Sequence, residues 1–426
     1  MKNKNKMLFK ILFIFFGVLC LIVNKKSFTT EETIKINKHE KLLSMMLEQN
    51  SGAGDYLQVA QSNWPTEGYI FNKERSGCEN GGELSWDDTR KTVVMMGAVS
   101  DKCYVYFNKV SIKSLVDYVK SQYTSVQGEN NIYYHDSTLT NGAGDNSYRY
   151  AGASDKVNNF ICFGSTETPC PNDNLYRIVG VFEDNYHGVS GQQLVKLIKY
   201  DYANSNLLGT DGDYVGSESP NEEYIGKLTS IGKYHWNRKA TDKNSNTWST
   251  SLLNKTNLNT NFINYLGTEW ANKIATTTWK VGGNTRDKIY SKATPSVAYQ
   301  NEIVNPDAAN STDNATTYNA KVGLMYVSDY GFAASPSAWT TFLNKYYEST
   351  SIINSNWMYM GFFDWTISRG NDYSVDVIPI LYLNYVTDRP VTNTGNSYGV
   401  RPCFSLNSSV SYVSGTGTES DPIIIN

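Results

Sequence analysis

One acidic stretch carries the residue types that hold a hard cation. Asp211-Gly212-Asp213, followed by Glu218, Glu222 and Glu223, gathers carboxylates in a short segment, and Ca2+ takes oxygen ligands from such loops. The stretch lacks the spacing and closing bidentate Glu of an EF-hand. Asp242-x-Asn244-x-Asn246 opens like such a hand, but Thr247 stands where glycine is needed and Leu253 where Glu is needed. A solvated surface loop is therefore the favoured reading of both stretches and no cofactor is expected, with Asp211, Asp213 and Glu218 as the candidate Ca2+ ligands under the alternative. The four histidines, His39, His135, His187 and His235, form no pair at metal-binding spacing. No G-x-S-x-G elbow, P-loop or dinucleotide fingerprint occurs, so no catalytic residue and no enzyme is expected. The remaining candidates are aromatic. Trp236 and Trp248 lie in polar surroundings with His235 beside them, and exposed Trp faces stack on sugar rings. Burial in the core is the favoured reading of all three, with Trp236, Trp248 and His235 as the candidate ligand residues under the alternative.

The composition narrows the class of partner. Charged residues make up only 19% of 426, with 38 basic against 41 acidic. A nucleic-acid binder needs a basic stripe, and none is visible. Aromatics reach 13%, including 31 Tyr, which points to a folded, β-leaning chain.

The N-terminus reads as an address. Lys2, Lys4, Lys6 and Lys10 precede an apolar run from Ile11 to Val23, and with Met7-Leu8-Phe9 the segment 7–23 approaches membrane-spanning length. Residues 1–26 are expected to be a cleaved signal or an uncleaved membrane anchor. Either exports the rest, leaving it secreted or held at the cell surface. Residues 27–64, with apolar positions at helical spacing, are expected to form a helical stalk.

Cysteine usage fits export. Cys78 and Cys103 flank a strand–turn–strand pattern at Leu84-Ser85-Trp86 and Val93-Val94-Met95-Met96, and Cys162 and Cys170 enclose a short loop. Both pairs are expected to be disulfides, while Cys403 reads as a buried, inert thiol. Residues 65–110 form the expected small disulfide-stapled antiparallel β module. Residues 111–130 follow as a helix, with Ile112, Leu115, Val116 and Val119 on one face and Ser111 as cap, and a linker. Residues 131–426 form one large β-rich α+β domain. Within it, 175–182 and 193–200 read as paired strands, and Ser335-Pro336 opens a helix with Trp339, Phe342, Leu343 and Tyr346 on one face.

Several strings in that region occur in order in one family. Asn174-Leu175-Tyr176-Arg177-Ile178-Val179-Gly180-Val181-Phe182, Trp279-Lys280-Val281-Gly282-Gly283-Asn284, Gly323-Leu324-Met325-Tyr326-Val327-Ser328-Asp329-Tyr330-Gly331, Trp365-Thr366-Ile367-Ser368 and Tyr398-Gly399-Val400-Arg401-Pro402 resemble a family of exported bacterial domains of unknown function from low-GC Gram-positive and Mollicute-like gut organisms. A fainter similarity links the Trp365 strand and the closing Gly399-Val400-Arg401 to C-type-lectin-like and formylglycine-generating-type folds. The resemblance implies an exported domain and no known reaction. The expected function is a surface or secreted adhesin-like binding protein for a glycan or a cell-surface protein. A pilus-like structural subunit and a secreted hydrolase are the alternatives.

Overall fold

The computed structural model describes residues 43–60, 68–87, 90, 92–96, 101–109, 113–183, 189, 191–238, 245–306, 316–373 and 375–426. The chain divides after Ile112 into two compact units, each mixed or β-rich. The apolar segment 7–23 lies outside the described residues; among those residues, no helix is long and apolar enough to cross a membrane.

The first unit contains β1 (Leu43–Glu48), β2 (Tyr56–Val59), β3 (Tyr69–Phe71), β4 (Gly77–Cys78), β5 (Glu83–Asp87), β6 (Thr92–Met96) and β7 (Cys103–Lys109). Its sheet runs β2-β1-β7-β3, with β4 also on β7. Strand β1 lies parallel to β7, setting Met45 opposite Val105 and Leu47 opposite Phe107, and these four side chains are the core. The described part of the expected 27–64 stalk is therefore strand, not helix. Met, Leu and Glu favour helices weakly, but Met45 and Leu47 alternate into a core at period two, and Gly52 and Gly54 supply the positive φ of the turn into β2. Within the expected 65–110 module the β3–β7, β4–β7 and β5–β6 pairs are all antiparallel; the parallel β1–β7 pair joins to it a strand that precedes that span. Cys78 sits directly opposite Cys103 and is bonded to it.

The second unit opens with β8 (Lys113–Ser114) and α1 (Leu115–Ser121). Ser114, not Ser111, is the helix cap, accepting the Asp117 amide at 3.0 Å. Leu115 and Val119 are buried in the large core, so the helix belongs to the second unit; Ser111 and Ile112 lie outside the described residues, and the expected linker near 127–131 is an ordered 3-10 turn leading into β9. The main sheet is built from β9 (Ile132–His135), β10 (Ser147–Tyr150), β11 (Phe160–Cys162), β12 (Leu175–Phe182), β13 (Leu194–Lys199), β14 (Val322–Gly323) and β15 (Cys403–Ser405). Its order is β14-β15-β13-β12-β10-β9, with β11 also on β12. Every residue of β12 and β13 is buried, which explains why both read as continuous runs. Gly180 marks a bulge in β12; a Cβ there would lie 2.1 Å from the Tyr148 carbonyl oxygen, so only glycine lets β10 close on β12. The second disulfide, Cys162–Cys170, ties β11 to the loop before β12.

Helical segments cover this sheet. A π-helical stretch, Leu253–Phe262, runs into α2 (Ile263–Lys273), broken at Gly267 where φ is +72°. The chain bends there and the helix resumes. Residues 336–348 do not form the expected continuous helix. Two 3-10 turns, Pro336–Ala338 and Leu343–Glu348, flank an extended Phe342 with ψ of 138°. Leu343 and Tyr346 are buried while Phe342 is 44% exposed, so tertiary packing overrides the helical pattern. Helix α3 (Val327–Ala333) is buried along its whole length.

The closing segment is held by a buried ion pair. Arg401 Nε donates to Asp364 Oδ2 at 2.6 Å and its Nη2 donates to the Met358 carbonyl at 2.8 Å. Removing one partner of such a pair strands the other charge in the interior. Arg401→Met is expected to lower unfolding free energy in urea by about 3–5 kcal/mol. The double variant with Asp364→Leu recovers most of that loss. A loss for Arg401→Met below about 1 kcal/mol would show that the pair does not hold the closing strand.

Candidate functional site

The residues that the sequence singles out do not form one site. Trp236 and Trp248 are each 1% exposed and pack on one another with ring centroids 5.0 Å apart. The Trp236 indole donates to the Thr366 carbonyl at 2.9 Å, and buried His235 sets Nδ1 3.0 Å from the Asn396 carbonyl. All three are core residues, with no face left for a ligand. Their polar sequence neighbours are misleading because those neighbours bond inward: Asn237 to the Ser245 carbonyl and Asn246 to the Gly370 and Asp376 carbonyls.

The acidic stretch is likewise divided. Asp213 is buried and accepts the amides of Arg238 and Leu253. Asp211 accepts from the Asn261 side chain at 2.6 Å, and Glu218 pairs with Lys233 at 2.7 Å. Among the described residues these carboxylates do not converge on a cation position. The one grouping with metal-ligand spacing there is Cys78, Asp101 and Cys103. Its sulfurs are bonded to each other, and Asp101 accepts the loop amides of Asn80 and Gly82. Cys403 is a free, buried thiol, which burial pushes up to about 12, so it is unreactive at neutral pH.

A buried charge cluster lies at the N-terminus of α3. Asp329 Oδ2 receives Lys196 Nζ at 2.5 Å and the Tyr326 amide at 3.0 Å. Arg149 Nη1 stands 3.7 Å from Asp329 Oδ1, and its Nη2 is 2.7 Å from Asp145. One residue earlier, the Ser328 amide donates to Glu302 at 2.7 Å, and Ser368 takes the Val327 amide while bonding Glu302. The first turn of α3 is thus capped by its own Asp329 and by Glu302 and Ser368 from elsewhere in the chain. The carboxylate of Asp329 is fully buried and Glu302 is 1% exposed. They are inward carboxylates, as a hydrolase would need, but both are engaged in capping.

A different group of residues faces solvent. Strands β9 and β10 pair Tyr134 directly with Tyr148, and their rings stack at 4.6 Å and 27°. Tyr123, just beyond α1, approaches Tyr134 at 5.9 Å and Tyr148 at 5.7 Å. All three rings are half-buried. Lys120 Nζ lies 5.6 Å from the Tyr148 ring and donates to Gln193 at 3.0 Å, while the Tyr134 hydroxyl donates to Asn146 at 3.3 Å. Burial first, then the charges of Asp136 and Glu183, raise the Tyr134 phenol; burial, then its tyrosine neighbours, raise Tyr148. Both hydroxyls therefore stay protonated donors. The arrangement is an aromatic face ringed by amide, ammonium and hydroxyl groups, suited to stacking on a ring and bonding its hydroxyls. The signal for it in the sequence is the alternation in Tyr148-Arg149-Tyr150, which turns Tyr148 to the opposite side from a buried arginine.

The buried titratable groups set opposing pH dependences. Burial pushes the Glu302 carboxyl up from 4.5 to about 7. The unfolded chain then loses this proton first, so its contribution to stability falls as pH rises between those values. Burial, with the Arg149 charge adding to it, holds His135 down from 6.5 to about 3; its contribution is lost as pH falls through that window. Glu302→Gln isolates the first effect. Its stability relative to the parent is expected to rise by on the order of 3 kcal/mol between pH 4.5 and 7 in urea titrations. A flat difference would show that Glu302 ionises normally.

No family model, no curated protein and no solved structure matches this chain, so its function is argued from its own chemistry.

Proposed function

We propose that the chain is an exported, adhesin-like binding protein held at the cell surface or secreted, and that the face of Tyr123, Tyr134 and Tyr148 takes a glycan. The observation that carries the reading is the convergence of three half-buried tyrosine rings, with centroids 4.6–5.9 Å apart, beside Lys120 and Asn146. Export is supported by the lysine-led apolar segment 7–23 and by two disulfides, which persist in oxidising compartments. The finer fold assignment, C-type-lectin-like, belongs to the same reading; it is supported by the closing Gly399-Val400-Arg401 run, which leads into a strand pairing antiparallel with β13 inside the main sheet. Binding is preferred to hydrolysis because the inward acidic groups Glu302 and Asp329, on the reverse side of β10, are buried and engaged in capping.

The test is a glycan and mucin array probed with the detergent-solubilised full-length chain, with and without EDTA. Binding is expected to survive EDTA, because Asp211, Asp213 and Glu218 each have protein partners. Tyr134→Ala with Tyr148→Ala is expected to weaken it at least about tenfold, equivalent to about 1.4 kcal/mol, with an unchanged circular dichroism spectrum. A blank array, or equal binding by the folded double variant, overturns the assignment.

A further inference from the structure

We propose that Lys196 and Asp329 become joined covalently in the folded chain, as an amide between Lys196 Nζ and Asp329 Cγ. The reacting groups are already in place: Nζ stands 2.5 Å from Oδ2, and the two side chains are 3% and 0% exposed. The ammonium end is surrounded by rings, with Tyr326, Trp279 and Phe182 centroids at 4.6, 5.5 and 5.5 Å. Two donors face the carboxyl group, the Tyr326 amide 3.0 Å from Oδ2 and Arg149 Nη1 3.7 Å from Oδ1. Glu302 is a positioning residue, fixing the turn that carries Asp329 by accepting the Ser328 amide.

The step balances without any co-reactant. A proton first passes from the Lys196 ammonium to Asp329 Oδ2, along the contact already made between them. The neutral amine then attacks Cγ, forming the N–C bond. The proton moves to Oδ2, the oxygen that Lys196 contacts, so the oxyanion that develops on Oδ1 is faced by the Arg149 guanidinium while the Tyr326 amide holds the departing Oδ2. The C–O bond of the protonated oxygen breaks, and that oxygen leaves as water with one proton from the carboxyl group and one from the amine. Holding both partners in one geometry replaces a bimolecular encounter, and the dry interior disfavours the reverse hydrolysis. The bond would fasten β13 to α3 across 133 residues of sequence. An exported domain that bears load gains from such a fastening, since the strand could not be pulled from the sheet without breaking a covalent bond.

Mass spectrometry of the full-length chain, denatured and thiol-reduced, tests this. The expected result is a mass one water below that of the linear sequence after any N-terminal processing, with digestion yielding a branched peptide that contains both Lys196 and Asp329. Lys196→Arg keeps a cation opposite Asp329 but offers no amine, and is expected to show the full linear mass. Three outcomes overturn the proposal: a parent chain with the full linear mass, a water loss that maps to Asp211-Gly212 or another site, and a water loss that persists in Lys196→Arg.

Discussion

The fold depends on how one buried carboxylate is neutralised. Asp329 lies inside the second unit at the start of a helix whose residues are all buried, and an uncompensated charge there would be costly. Lys196 from β13 and Arg149 from β10 meet it from the main sheet, and the Tyr326 amide closes the helix cap. Three elements distant in sequence are thereby fixed in one relative position. Apolar packing alone is non-directional and would permit several ways of laying a short helix on a sheet. Two cations and a carboxylate admit far fewer.

That inward anchoring also determines what faces outward. Side chains alternate along a strand, so burying Arg149 beneath β10 turns Tyr148 to the other side, and the register with β9 brings Tyr134 beside it. Gly180 completes the arrangement by letting the Tyr148 backbone approach β12 more closely than any side chain allows. The aromatic face is thus a consequence of the charge cluster on the reverse of the same strand. Tyr133, also next to Tyr134, is turned the opposite way and packs edge-on against buried Trp339.

How much of this was legible in the sequence depended on the range of the forces involved. The strands at 175–182 and 193–200 and both cysteine pairs are set by local patterning or short separations, and they appear as read. The helix pattern at 336–346 fails because Leu343 and Tyr346 are drawn into the core by partners far along the chain. The stretch at 43–48 becomes a strand because its partner, β7, lies some sixty residues later. Trp236 and Trp248 look exposed beside Asn237, Asn246 and Ser251, yet those polar residues bond to buried backbone groups. A polar neighbourhood in sequence cannot be told from a polar surface when the polar atoms have internal partners. The three tyrosines escaped notice because no single one stands out among 31; only strand register brings them together.

The strings that stand out in the second unit's sequence have a common physical role. Arg177 is buried between the Phe160 and Trp357 rings and bonds Asn159 and Ser154. Asp329 caps its helix, Trp365 donates to the Tyr234 carbonyl, and Arg401 holds Asp364. Each is a buried polar residue with a directional partner. Such residues tolerate little substitution, because replacing one leaves its partner unsatisfied in the interior. Tyr123, Tyr134 and Tyr148 are half-buried, and replacing one strands no buried charge. A resemblance built on those strings consequently speaks to the scaffold, and the function has to be sought on the surface that the scaffold orients.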